Sequence, residues 1–364
     1  MPNEIIIAAA GGGKTTRIVG RAAADPRRSA LVTYTTNNVE ELRNRFYDRG
    51  AAIPANVEIW SWYRFLLHEL VRPYQLNLVK RRIEGLHYVD GQSALYAKKA
   101  DISRYFLTSG GRLIYSDKIS EFVLTLNKVS GGAVLERLAQ RFSTIYVDEI
   151  QDMAGWDLDL LELLLRSGID IVLVGDHRQA TFRTNNSPKN KAFAGIKVID
   201  KFRAWEEARL GRLVFERETH RCHQLIADLA DAFFPGEPTT ISKNDKVTGH
   251  DGVFVIERNL VERYVRQFSP QVLRLDRKTD CASLPALNFG DSKGMTFERV
   301  LIFPHKGAQT WLKSGDLKHV IGSLAKLYVG VTRARHSVAF VLDGSCALQG
   351  IMRLVEVTQN LDDA

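Results

Sequence analysis

One short stretch, Ala8-Ala9-Ala10-Gly11-Gly12-Gly13-Lys14-Thr15-Thr16, constrains what this chain can fold into more than any other. It follows Glu4-Ile5-Ile6-Ile7, an apolar run that reads as a buried strand, and it precedes Arg17-Ile18-Val19-Gly20-Arg21, which can begin a helix. Glycines let the backbone curl until successive N–H groups point inward, and a helix N-terminus adds a favourable dipole. Strand, glycine turn, Lys-Thr and helix together have the form of a phosphate-binding loop. Gly11, Gly12, Gly13, Lys14, Thr15 and Thr16 are therefore the candidate nucleotide contacts. Lys14 would reach the β/γ-phosphates and the Thr15 hydroxyl would ligate Mg²⁺. Three glycines alone could be a flexible loop; the preceding strand and the Lys-Thr-Thr make the signal specific.

With 364 residues the chain has room for two domains. Apolar and charged contents of 45% and 25% are those of a globular protein, and no apolar run is long enough for a membrane span. The N-terminus lacks a basic region followed by an apolar stretch and cleavage site, so no secretory leader is expected. Cys222, Cys281 and Cys346 are scattered, without zinc spacing or a disulfide framework, which fits a cytoplasmic location. A net charge of +8 and a pI near 9.3 point either to a polyanionic partner, nucleic acid first, or to a merely basic surface.

Along the chain, Ser29 to Thr33 reads as a second strand and Val39 to Phe46 as a helix. This βαβα opening implies a parallel sheet. Val57-Glu58-Ile59-Trp60 is a third strand. Residues 70–140 read as a small, mostly helical insertion, with Ile119, Phe122, Val123, Leu126 and Val129 forming one apolar helix face. The sheet resumes at Thr144-Ile145-Tyr146-Val147 and ends in Asp148-Glu149-Ile150-Gln151-Asp152. Adjacent carboxylates after a strand suit Mg²⁺ binding by Asp148 and activation of the attacking water by Glu149. A very apolar strand, Ile169 to Gly175, ends in Asp176-His177-Arg178-Gln179, where Gln179 could sense the γ-phosphate or be a solvated loop residue. The polar 185–200 stretch marks a lobe boundary, giving lobe 1 as 1–190 and lobe 2 as 191–364. Leu213 to Phe215, Gly252 to Ile256, Val272 to Leu275, Val300 to Phe303 and Ser337 to Val341 read as strands of the second lobe.

At this point the motif series resembles the UvrD/Rep (PcrA-like) group of superfamily 1 DNA helicases. The phosphate loop is similar to motif I, Thr33-Tyr34-Thr35-Thr36-Asn37 to motif Ia, Asp148 to Asp152 to motif II, and Val174 to Gln179 with Phe182 to motif III. Glu218-Thr219-His220-Arg221 is similar to motif IV, Asp291 to Phe297 with Gly294 to motif V, and Leu327 to Arg335 to motif VI. The resemblance implies an α/β fold of two RecA-like parallel-sheet lobes with ATP and Mg²⁺ as cofactors. It also implies single-stranded DNA, or a single-strand/duplex junction, as partner and 3′-to-5′ movement driven by ATP hydrolysis. Arg221 and Arg333 would act as arginine fingers. Tyr34, Thr36, Trp60 and Phe182 would grip the strand, partly by stacking. Trp62 could do the same or be core.

Several positions depart from that pattern. The chain starts four residues before Ile5, leaving no room for the family's adenine-reading glutamine, so Arg17 becomes the candidate to stack on the base. Trp60 stands where His is usual, Thr296 where many relatives have Glu, and the large second-lobe insertion is missing. The reduced size leaves open a second reading: a regulatory UvrD-like NTPase subunit controlling a partner nuclease or other accessory subunit, as in anti-phage defence. No membrane partner is expected.

Overall fold

The computed structural model describes residues 3–50 and 52–354. The chain divides into two compact units, one formed by Met1–Ile7 with Gly13–Phe215 and the other by Ala8–Gly12 with Glu216–Ala364.

The first unit is built on β1 (Glu4–Ala8), β2 (Ser29–Thr33), β3 (Val57–Ser61), β4 (Gly85–His87), β5 (Leu113–Tyr115), β6 (Thr144–Val147), β7 (Asp170–Gly175) and β8 (Arg212–Glu216). Six of these make one sheet in the order β3-β2-β6-β7-β1-β8. The pairs β3/β2, β2/β6, β6/β7 and β7/β1 are all parallel. Near-continuous apolar strands are what a sheet covered on both faces requires. Alternate residues divide between two cores: Ile5, Ile7, Val32, Ile145, Val147 and Leu173 lie on one face, Ile6, Leu31, Tyr146, Val172 and Val174 on the other. Helices Lys14–Ala24 and Thr36–Asp48 cover the second face through Ile18, Val19, Leu42 and Phe46. Helices Ile119–Val129, Trp156–Leu165 and Val198–Glu207 cover the first.

β8 belongs to this sheet, although Leu213 to Phe215 read from sequence as a strand of the second lobe. The division of the chain accordingly falls after Phe215 rather than in the polar 185–200 stretch. The physical reason is burial. Val198, Phe202 and Trp205 enter the first core, and Leu213 and Phe215 pack against it.

Within the insertion, Leu66–Val71 is a π-helical turn burying Leu66, Leu67, Leu70 and Val71, and β4 and β5 form a two-stranded parallel ladder. Residues 78–101 and 107–118 hold no helix, so the segment expected to be mostly helical is helical only in part. Ile119, Phe122, Val123 and Leu126 are core as expected, but Val129, the last residue of its helix, is 52% exposed. Trp62 is fully buried, which makes it core. Beneath this region Asp157 is a buried polar node. Ser120 Oγ and Thr184 Oγ1 both donate to its carboxylate, and Thr184 Oγ1 accepts from Ala154 N at 3.1 Å. Asp157→Ala would strand two buried hydroxyls, and an expected loss of about 2–3 kcal/mol is measurable by urea unfolding. Burial pushes the Asp157 carboxyl up to about 6, against the two hydroxyls. A raised acid stabilises the fold most below its unfolded value and loses that contribution as pH rises through about 6. The variant's deficit should therefore widen as the pH is lowered.

The second unit carries β9 (Glu218–Thr219), β10 (Ile241–Ser242), β11 (Gly252–Ile256), β12 (Gln271–Arg274), β13 (Ala286–Asn288), β14 (Phe297–Phe303), β15 (Ala334–Val341) and β16 (Met352–Leu354). Six of them form an all-parallel sheet, β13-β12-β14-β15-β11-β16. One face packs Phe254, Ile256, Leu301, Phe303, Ala339 and Val341 against Val261 and Tyr264 of helix Val261–Phe268. Both units are thus parallel α/β domains, as expected. Among the described residues no helix is long and apolar enough to cross a membrane.

Candidate nucleotide site

In an open parallel sheet, ligands bind beyond the carboxyl ends of the strands. In the first unit the order β6-β7-β1 sets three polar segments side by side at that edge: Asp148-Glu149, Asp176 to Gln179, and the glycine loop. Gly13, at φ 72°, caps helix Lys14–Ala24, whose first turn carries no acid. Its leading N–H groups are therefore available to an anion. The Thr15 hydroxyl donates to Asp148 Oδ2 at 3.1 Å, so the loop and the acidic turn meet directly. Thr16 and Arg17 are exposed in the same first turn.

Asp148 is 3% exposed. Burial, then the neighbouring Glu149 charge, push its carboxyl well above the usual carboxylate range, opposed by Lys14, the Glu149 N–H at 2.9 Å and Thr15. A buried carboxylate in that state is stabilised by a cation. Its hard oxygens, with the Thr15 hydroxyl, fit Mg²⁺. No cluster of three or more His, Cys, Asp or Glu among the described residues could hold a metal alone.

Glu149 sits at φ 58°, ψ 39°, a left-handed conformation uncommon outside glycine. Its Oε2 accepts from Gln151 Nε2, and Gln151 Oε1 accepts from Asp176 N at 3.0 Å. Asp176 Oδ2 in turn accepts from Gln179 Nε2 at 2.9 Å, and Oδ1 from Arg178 Nε at 2.8 Å. Burial opposes the Asp176 charge, but Arg178, Lys14 and His177 hold its carboxyl well below the usual range. Glu149 and Gln179 are thus joined through Gln151 and Asp176, to which sequence reasoning gave no role. Gly175 makes the passage possible, since a Cβ there would stand 2.3 Å from Gln151 Oε1.

The leading half of the glycine loop packs within the second unit. Ala9 N donates to Glu216 O at 3.1 Å, Thr219 Oγ1 to Ala10 O at 2.6 Å, and His220 N to Gly11 O at 3.1 Å. A Cβ on Gly11 (φ 78°) would lie 2.5 Å from Arg221 Cβ, and one on Gly12 2.8 Å from Glu218 O. The glycines serve close packing as well as curvature. Gly11→Ala, strained in φ and space, is expected to cost about 1–3 kcal/mol and to weaken nucleotide binding, as thermal unfolding and a fluorescent-nucleotide titration would read.

Arg221 Nη1 donates to Thr332 O at 3.2 Å. Arg333 is buried, with Nε on Val329 O at 3.0 Å and Nη1 on Met295 O at 3.2 Å. Gly294, exposed at φ 88°, precedes Met295 in the turn before β14. Cys222 lies among these arginines. Burial pushes its thiol up to about 11, against the charges of Arg221, Arg333 and Arg335.

The stacking candidates lie on strands of the first sheet or in the segments that follow them. Tyr34 is half-buried beyond β2, edge-on to Tyr63 at 5.9 Å, and Thr36 is exposed at the start of its helix. Trp60, on β3, packs partly against the core and tilts over His68 at 5.8 Å. Phe182 is 47% exposed.

Residues 64–190 match the family model of the UvrD/REP helicase N-terminal domain. A search of curated proteins returns no match. Among solved structures the chain is similar to the helicase nonstructural protein 10 of an arterivirus, at 13% identity and a TM-score of 0.47, over 93% of this chain and 59% of that one. It is similar to an arterivirus nonstructural protein 10 helicase in complex with DNA (14%, 0.47, 93% and 60%) and to the PRRSV helicase (15%, 0.44, 93% and 52%). The chain therefore spans between half and six-tenths of the length of these proteins. Residues 64–190, the segment that carries Asp148, Glu149 and Gln179, are thus similar to the N-terminal domain of the UvrD/REP helicases.

Proposed function

We propose that the chain is an ATP-dependent DNA translocase and helicase, hydrolysing ATP in response to single-stranded DNA and moving 3′ to 5′. The observation that carries this reading is the Thr15–Asp148 hydrogen bond beside Glu149, which joins the phosphate loop to an acidic pair at one sheet edge. Gly11, Gly12, Gly13, Thr16 and Lys14 hold the phosphates, and Arg17 lies against the base. Thr15 and Asp148 hold Mg²⁺, which neutralises phosphate charge when bound. Glu149 takes the proton of the attacking water, and Gln179 orients that water through its tie to Asp176. Arg221 and Arg333 offset the charge that develops on the γ-phosphate, and Gly294, in the turn before β14, contacts the nucleotide. Tyr34, Thr36, Trp60 and Phe182 contact the strand.

Duplexes with a 3′ or a 5′ single-stranded tail test the reading. Displacement of the 3′-tailed duplex alone is expected, and preference for the 5′ tail would reverse the polarity. ATP hydrolysis without displacement by the chain alone would instead favour a regulatory subunit that controls a partner nuclease.

A further inference from the structure

A group of arginines in the first unit has no carboxylate to pair with. Arg72 Nη1 contacts His68 Nε2 at 3.0 Å, while its Nε and Nη2 donate to the carbonyls of Ile83 and Glu84 at 3.3 and 2.6 Å. These bonds fix Arg72 and draw in the loop that carries Arg82. Arg64 lies one helical turn before His68 and, like Arg82, is exposed. The acids nearby are committed elsewhere. Glu58 pairs with Arg28 and Arg141, Glu69 with Arg137 and Arg141, and Glu84 with Arg112. Among the described residues no ion pair involves Arg64, Arg72 or Arg82. Burial, then the charges of Arg72, Arg64 and Arg82, hold the His68 imidazole below its ordinary value, and burial and Arg82 lower Arg72 itself. The local potential is therefore positive and unrelieved. His68 also carries the face of the cluster onto the Trp60 ring.

We propose that Arg64, Arg72 and Arg82 form a phosphate seat that holds the backbone of a single nucleic-acid strand passing Trp60. Guanidinium groups suit this task because their planar forks match phosphate oxygens. A phosphodiester would relieve the repulsion among three like charges, one of which is already fixed in place. This inference rests on the single-strand reading of the proposed function and extends it to residues outside the helicase motifs.

The test is the salt dependence of binding of the full chain to a labelled oligothymidylate, followed by fluorescence anisotropy. Each lost phosphate contact on a single strand should flatten the log–log salt slope by about 0.7, so Arg64→Ala with Arg82→Ala should flatten it by about 1.4. Arg82→Lys should retain most of the slope, and Arg266→Ala, on an exposed helix of the second unit, should leave it unchanged. Because Arg64 and Arg82 are exposed, an unaltered unfolding midpoint is expected for the double variant. A wild-type chain that fails to bind the strand would overturn the functional reading and the seat together. Normal wild-type binding with an unchanged slope in the double variant would overturn the seat alone. A slope loss seen only with blunt duplex would overturn the assignment to a single strand.

Discussion

Replacing Glu149 with glutamine is expected to slow ATP turnover by about 10²–10⁴-fold, the range that a positioned general base contributes. Nucleotide binding should stay near the wild-type value. The expectation rests on where the carboxylate is held. Its backbone is in a left-handed conformation, and its Oε2 accepts from Gln151. A glutamine carbonyl can still accept that bond but cannot take a proton from water, so geometry is kept while basicity is lost. Phosphate release and a fluorescent-nucleotide titration separate the two effects. Wild-type turnover in Glu149→Gln would mean that another group activates the water.

Arg221→Ala should cost more, about 10³-fold or beyond in turnover, as removal of an arginine finger does. Arg221 is the cleaner of the two arginines to test. It is half-buried and donates to the Thr332 carbonyl, whereas fully buried Arg333 satisfies the carbonyls of Val329 and Met295. Removing Arg333 would leave buried acceptors without partners and lower stability as well as rate. Arg221→Lys should recover little, since an ammonium cannot reproduce a planar fork. Single-turnover hydrolysis at saturating nucleotide reads the effect, and near-wild-type rates in Arg221→Ala would remove Arg221 from the catalytic set.

What could be read from the sequence was whatever depended on local pattern. Ile5 to Ile7, Ile145 to Val147 and Ile171 to Val174 are apolar runs that only a doubly covered sheet can bury, so strands and fold class followed from them. Asp148 is far from Lys14 and Thr15 in sequence, yet loop and acidic-turn chemistry pointed to one site, and the Thr15–Asp148 bond joins them. What could not be read depended on partners remote in the chain. β8 looked like any short apolar strand, and its place beside β1 is decided by packing of Leu213 and Phe215 onto the first core. The Gln151–Asp176 relay needs the adjacency of β6 and β7, which no local spacing encodes. Gly11 read as a curvature residue, while its proximity to Arg221 is a fact of tertiary structure. Trp60 reads as a strand contact and Trp62 as either contact or core, and only tertiary packing, which buries Trp62 completely and leaves Trp60 partly accessible, decides the latter.

The central claim is that ATP hydrolysis by this chain answers to a nucleic-acid strand. Steady-state ATPase activity of the wild-type chain, with and without single-stranded DNA, tests it most directly. Strong stimulation by the strand, abolished in Lys14→Ala, is the predicted result. Hydrolysis that proceeds at the same rate with and without the strand would contradict the account.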